Sequence, residues 1–422
     1  FNDINNQYGI KEIWSHQETW NFWTYERDQR LRSWFKSNNI KWNEPKQNGV
    51  IRGLKNRDGW SKEWQKRMNI LPYEPPKKIK GHKFISESIP STNQLGLKND
   101  GIEVIQKGGR NEGLKVLESF LSKRGKNYSK EMSSPLTANN SSSRLSTHIA
   151  FGTLSIREII QKTNIRKKEI QKLSKDEKKN WPRSINTFSS RLRWHCHFIQ
   201  KLEDQPDIEF RNMHSSYDKL RNEKDNNLFF ESWKNGLTGY PMVDACMRSL
   251  IKTGWLNFRM RAMLMSFASY HLWLPWQKTS KYLATLFTDY EPGIHYSQSQ
   301  MQSGTTGINA IRIYNPIKQG IDHDPDGIFI KKWVHELQNV PKKFIHMPWE
   351  NISYIKDYSF PIVEESVARK AAASKIYKLR KEQSHKIESN KIYIKHGSRK
   401  PRMKKIKKQV KIKKEEIQKN LF

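Results

Sequence analysis

Helical spacing governs this chain almost without interruption from Leu114 to about Trp349, which leaves one short stretch of a different kind ahead of it. That stretch, residues 8–45, reads as strand, helix, strand: Ile10–Trp14 is a short apolar run, Trp23–Phe35 has helical spacing, and Ile40–Trp42 is again extended. Two strands and one helix do not make a stable parallel sheet, because parallel strands are buried on both faces and need neighbours. The expectation is a mostly α protein preceded by part of an α/β unit whose earlier strands are absent, so that the sequence, opening at Phe1, begins as a fragment. Four regions follow: a partial α/β unit over 1–75, a linker over 76–113, a helical domain over 114–350, and a basic extension over 351–422. The linker is rich in Pro, Lys, Gly and Ser and has weak periodicity.

Local signals support the helical reading. Ser155 followed by Glu158 is a capping box ahead of the apolar Ile159 and Ile160. Pro241 stands where a first helical residue belongs, Met242, Val243, Cys246, Met247 and Leu250 form one apolar face, and Gly254 ends the helix. From Lys391 to Lys414 the chain carries many Lys and Arg and no acidic residue, a composition that predicts a segment disordered until it meets a polyanion.

Lys and Arg outnumber Asp and Glu by 77 to 42, a formal charge of +35 that repels itself unless an anionic partner is present. Nucleic acid is the expected partner. A merely disordered basic protein would not carry 15 Trp, 15 Tyr and 18 Phe, enough apolar area for a real core. Cys196 and Cys246 are too few for a disulfide framework or a thiolate metal site, so a reducing compartment is expected and no metal. No apolar run reaches membrane-spanning length. These features predict a soluble, cytoplasmic monomer without a membrane partner, associated with the nucleoid if its source is bacterial.

Three blocks carry a resemblance. SSSRLSTHIAFGTLSIRE (141–158), WKNGLTGYPMVDACMRSLIKTGWLNFRMR (233–261) and RIYNPIKQGIDHDPDGIFIKKWVHEL (312–337) resemble, in order and spacing, the FAD-binding helical domain of the cryptochrome and DNA photolyase family. Residues 8–70 are similar to the later part of that family's Rossmann-like antenna domain; because the first half is missing, a second, antenna chromophore is left open. The resemblance implies bound FAD. It places Ser142, Ser143, Arg144, Leu145 and Ser146 at the cofactor's diphosphate, where hydroxyls, N–H groups and a guanidinium suit that chemistry. Ordinary helix capping is the competing reading of the same serines. It also implies Tyr128 and His195 against the cofactor, an Arg261–Asp289 ion pair over the flavin, Glu291 as a second acidic contact, and His295 facing flavin N5.

On the substrate side the resemblance implies Trp194 as the residue that stacks on a flipped-out base, against the alternative of a core tryptophan, with Arg191, Asn257 and Phe258 also at the DNA surface. Trp194 and His295 are thus the expected catalytic positions. Trp255 reads equally as packing. Two departures concern the lesion: Arg191 stands where enzymes that repair cyclobutane dimers often have Glu, and His195 where they often have Arg. A third concerns electron transfer. Between Asp289 and RIYNP there is no Trp; Trp276 aligns with the middle member of the family's tryptophan chain, Ser299 falls near the proximal one and Glu223 near the distal one. Trp273 and Trp276, on the segment leading to Asp289, and Tyr290 and Tyr296, which flank the flavin-contacting stretch, are the expected substitutes, Tyr296 ahead of Tyr290. The function this implies is an FAD-dependent, blue-light DNA photolyase, a carbon–carbon lyase acting on UV-induced pyrimidine lesions. The alternative is a cryptochrome-like photoreceptor without repair activity.

Overall fold

A computed structural model describes residues 1–81, 88–221 and 226–398. Glu12–Trp14 (β1) and Lys41–Asn43 (β2) pair in parallel, Glu12 opposite Lys41 and Trp14 opposite Asn43. Helix Phe22–Ser37 crosses between them, as the spacing predicts, and an additional helix, Asn2–Tyr8, precedes them. Phe35 is the buried anchor of the crossover helix and meets Trp42 edge-on at 5.2 Å. Among the described residues the sheet has two strands only.

This small unit is held by what lies beneath it. Trp60, Trp64 and Met68 recur every four residues on helix Trp60–Met68 and are all buried. The Trp60 indole N–H donates to Oε1 of Gln200 at 3.1 Å, and Gln200 also exchanges two 2.8 Å bonds with the backbone of Ile51. Gln200 belongs to the central helix, Trp181–Asp204, so one amide ties the α/β unit to the helical domain. Helix Pro292–Ser303 packs on the central helix; a Cβ on Gly293 would stand 2.6 Å from Ile199 Cα, so only glycine permits that approach.

Helix Pro241–Thr253 has Pro241 at its first position and buries Met242, Val243, Cys246, Met247 and Leu250, and Gly254 closes it with φ +62°. Trp233, fully buried beside it, donates its indole N–H to the Leu264 carbonyl at 3.2 Å. The capping box differs from expectation. Ser155 accepts from the N–H of Arg157, but Glu158 turns away to take both guanidinium nitrogens of Arg110, at 2.8 and 3.0 Å.

The C-terminal extension departs further from the sequence reading. Glu365–Lys381 and Gln383–His396 are helices. Ala372 and Ile376 pack against Tyr217 and Tyr270, and Ile392 against Leu202, Ile208 and Met213. Arg380 donates to the Tyr217 hydroxyl and to the Asn309 carbonyl, both at 2.9 Å. A sparse apolar stripe thus docks these helices while their many lysines stay in water, and composition alone weighs the lysines and misses the stripe. Disorder therefore does not hold for Lys391–His396; residues 399–414 of the basic run lie outside the described residues. Among the described residues no helix is long and apolar enough to cross a membrane.

Candidate cofactor and nucleic-acid site

Side chains at successive turns of the central helix, Phe188, Arg191, Leu192, His195, Phe198 and Lys201, share one face, and that face forms a wall of a cavity of about 690 Å³. The volume lies within the roughly 300–1,000 Å³ usual for ligand sites. Three segments distant in sequence complete it. The loop and short helix around Ser142–Ser146 form one side, Trp255–Met265 a second, and Asp289–Gln302 a third.

Most residues expected at the site converge here. Tyr128, Ser142, Ser143, Leu145, Ser146, Arg191, Trp194, His195, Asn257, Phe258, Arg261, Asp289, Glu291 and His295 all line the cavity, and so does Ser299. Four do not: Arg144, Trp273, Trp276 and Tyr296 stand outside its lining. The Arg144 backbone has φ +59°, and its guanidinium lies 3.9 Å from the ring centroid of Trp255, which does line the cavity. Arg144 thus braces the wall from behind, where burial pulls its pKa down to about 10.

A bidentate ion pair, Arg261–Asp289, stands in the cavity lining. Nη1 and Nη2 of Arg261 each donate to one carboxylate oxygen of Asp289 at 2.9 Å, and Nε donates to the Leu256 carbonyl at 2.6 Å. The guanidinium also lies 4.1 Å from the Phe287 ring centroid. Burial raises the carboxyl's pKa, but the two bonds from Arg261, one from the Ser146 hydroxyl, and the charge of Arg144 together hold it below the ordinary carboxylate range. Asp289 is therefore ionised.

Two neighbours are kept neutral instead. Glu291 caps helix Pro292–Ser303, and its Oε1 is buried without a hydrogen-bond partner; burial pushes its carboxyl up to about 8. His295 approaches the Ser280 carbonyl with Nε2 at 2.8 Å, and burial pulls its imidazole down to about 4. Nε2 accordingly carries the proton and Nδ1 is an acceptor. His195 is half-buried, and desolvation pulls it down to about 4 as well.

At the opposite end the lining turns aromatic and more open. Trp194 is 39% exposed and Phe258 45%. Trp194 rests on Phe198 at 5.4 Å and edge-on against His197 at 5.3 Å, while the Arg191 guanidinium lies 5.6 Å from the Phe258 ring centroid. The Asn257 amide N–H groups are spent on the carbonyls of Met132 and Ser133, at 3.2 and 2.8 Å, which fixes the loop beside Tyr128. Its Oδ1 is buried without a partner.

The expected electron-transfer residues separate into two places. Trp276 is buried, donates to Asn212 Oδ1 at 2.7 Å, and meets Tyr296 at 6.4 Å; Tyr296 meets Tyr290 at 6.5 Å, and Tyr290 lines the cavity. Trp273 instead lies between the cations of Arg221 and Lys375, each 4.7 Å from its ring. Glu223 lies outside the described residues. The sequence reading missed Phe188, Phe198 and the basic group at Lys201 as wall residues. The stripe at 188, 191, 195, 198 and 201 was the signal that would have found them.

Fold and site together define a helical protein with a dinucleotide-sized cavity, one ionised acid–base pair at its floor, and an aromatic mouth. Residues 188–378 match the family described as the FAD binding domain of DNA photolyase. The chain is 31% identical over 277 residues to a deoxyribodipyrimidine photo-lyase of Alkalihalophilus pseudofirmus, covering 63% of this chain and 55% of that protein. It is 28% identical to cryptochrome-2 of Arabidopsis thaliana over 77% of this chain and 55% of that one. A class III photolyase structure from Agrobacterium tumefaciens superposes with a TM-score of 0.77 at 23% identity, over 90% of this chain and 82% of that one. An archaeal photolyase from Sulfolobus tokodaii, solved with two FAD molecules, superposes at 0.68 with 26% identity, over 89% and 81%. The chain is thus similar to photolyases and cryptochromes in sequence and fold. It spans about half the length of the curated relatives it matches.

Proposed function

We propose that this chain binds FAD in the cavity and acts as a light-driven DNA photolyase on pyrimidine lesions. The observation that carries the reading is the convergence, in one cavity, of the Arg261–Asp289 pair and the Trp194–Phe258 mouth. The residues fit the cofactor. The Ser142–Ser146 loop offers hydroxyl and N–H donors for a diphosphate, and the orphaned Glu291 Oε1 and Asn257 Oδ1 are buried polar atoms that a polar ligand would satisfy. When bound, FAD supplies light absorption and one-electron chemistry.

The chain's own residues do the rest. Arg261 and Asp289 present fixed charges at the floor, Glu291 holds a proton at neutral pH, and Phe188, Leu192 and Phe198 keep the wall dry. Trp194 offers its ring to a base turned out of the duplex, and Arg191 and the chain's surplus positive charge favour the phosphates around it. The decisive test is to illuminate the reduced protein with DNA carrying either a cyclobutane dimer or a (6-4) photoproduct and to measure repair of each. Repair of one is expected. Loss of neither lesion by protein that holds its flavin would sink this reading in favour of a photoreceptor, to which Arg191 and His195, departures from the dimer-repair pattern, already incline.

Photoreduction is expected to run through Tyr290, Tyr296 and Trp276, whose rings form the one aromatic series just described that reaches the cavity wall. Trp273 is not a member, since two cations against its ring disfavour a positive charge there. Under blue light with an external reductant, Tyr296→Phe and Trp276→Phe should slow flavin reduction severalfold and Trp273→Phe should not. Unchanged rates in the first two variants would remove this route.

A further inference from the structure

The cavity does not end at Trp194. It continues along the central helix to a pole lined by His197, Lys201, His396, Gly397 and Ser398, with Lys201 seven residues from Trp194, about 10 Å along the axis. Lys201 is 3% exposed, and its ammonium makes no hydrogen bond and no ion pair among the described residues; it lies 5.3 Å from the Phe198 ring. The carboxylate at this end, Asp204, is already taken, by Arg57 at 3.3 Å and by the Gln200 amide at 2.8 Å. His396 reaches Gln205 Oε1 through Nε2 at 2.9 Å, and its Nδ1 is buried without a partner.

A buried ammonium facing a second cation with no counter-charge is costly, and proteins keep such an arrangement where an anion completes it. We propose that this pole is a phosphate-binding subsite in which Lys201 supplies the charge and His197 and Ser398 supply hydrogen bonds. Its ligand is the phosphate of the nucleoside whose base stacks on Trp194, and in this it rests on the nucleic-acid reading above. The charged and titratable groups around this pole agree with that role: Arg57, His197 and His396 interact with Lys201, while Asp204 faces Arg57 and Lys395 faces Asp204 and His396. Burial first, and then Arg57, pull Lys201 down to about 7, so above neutral pH the amine is mostly neutral and an arriving anion would draw it to the charged form. His197 and His396, pulled down to about 3 and about 2, stay neutral.

The full chain is titrated at constant ionic strength with thymidine, thymidine 5′-monophosphate, thymidine 3′-monophosphate and inorganic phosphate. One monophosphate should bind at least about tenfold more tightly than thymidine. Lys201→Met should erase that preference, and Lys201→Arg, which keeps the charge, should retain most of it. At about pH 8 calorimetry in two buffers should show monophosphate binding taking up close to one proton in the wild type and none in Lys201→Met. Equal binding of thymidine and both monophosphates, or a preference untouched in Lys201→Met, would overturn the subsite. Phosphate binding that depends on Lys201 while thymidine binding ignores Trp194→Ala would keep the subsite and remove the stacking role of Trp194.

Discussion

Arg261→Met is expected to cost about 3–5 kcal/mol of stability and to leave the protein unable to retain flavin. The change removes two 2.9 Å bonds and the one guanidinium that, among the described residues, forms an ion pair with Asp289, whose side chain is 5% exposed, so the buried carboxylate keeps only the Ser146 hydroxyl and the more distant charge of Arg144. The pH dependence follows from the direction of the Asp289 shift. Its folded pKa is held below the usual value, so in the wild type it contributes stability that is present above the unfolded pKa of about 3.9 and is lost as pH falls through the folded one. In Arg261→Met the charge is a liability instead, and protonation relieves it. The gap in melting temperature between wild type and variant should therefore be widest near neutral pH and narrow below about pH 4. The double variant Arg261→Met with Asp289→Leu should recover much of the stability without recovering flavin. A double variant that regained both would show the pair to be structural only.

Trp194→Ala should lose about 1–3 kcal/mol of affinity for damaged DNA, roughly five- to over a hundredfold, while undamaged duplex is bound as before. The asymmetry rests on where the ring sits. Trp194 is 39% exposed at the cavity mouth and is supported by Phe198 and His197, so its removal opens little core and the fold should tolerate it. On the nucleic-acid reading proposed above, affinity for undamaged duplex is expected from the positive charge of the surface, which the substitution leaves alone. Trp194→Phe should keep most of the preference. Competition binding with matched damaged and undamaged duplexes reads the difference directly, and an equal loss on both would assign Trp194 to packing.

The helical architecture could be read from the chain because its signals are local. Pro241 and Gly254 mark one helix's ends by their fixed or left-handed backbone angles, and the apolar spacing between them names its buried face. The pair of strands with their crossover helix was legible for the same reason. Charged side chains were less legible. Glu158 fits a capping box by spacing, yet Arg110, 48 positions away, is the partner it takes. The helices Glu365–Lys381 and Gln383–His396 were hidden because basic side chains recur along both and only a few apolar side chains dock them.

By itself the sequence determined the helical character of the chain between Leu114 and about Trp349 and that the molecule carries a large positive charge with enough aromatic area for a core. Those properties depend on neighbours a few residues apart or on simple sums. Tertiary structure alone decided which side chain faces which. It placed Arg144 behind Trp255 and outside the cavity lining, set Trp273 between two cations, brought Tyr290 to the wall, and left Lys201 without a counter-charge beside Arg57 and His396. Each is a contact between residues that chain distance does not relate, made when helices with matching apolar faces pack and carry their polar side chains to wherever that packing puts them.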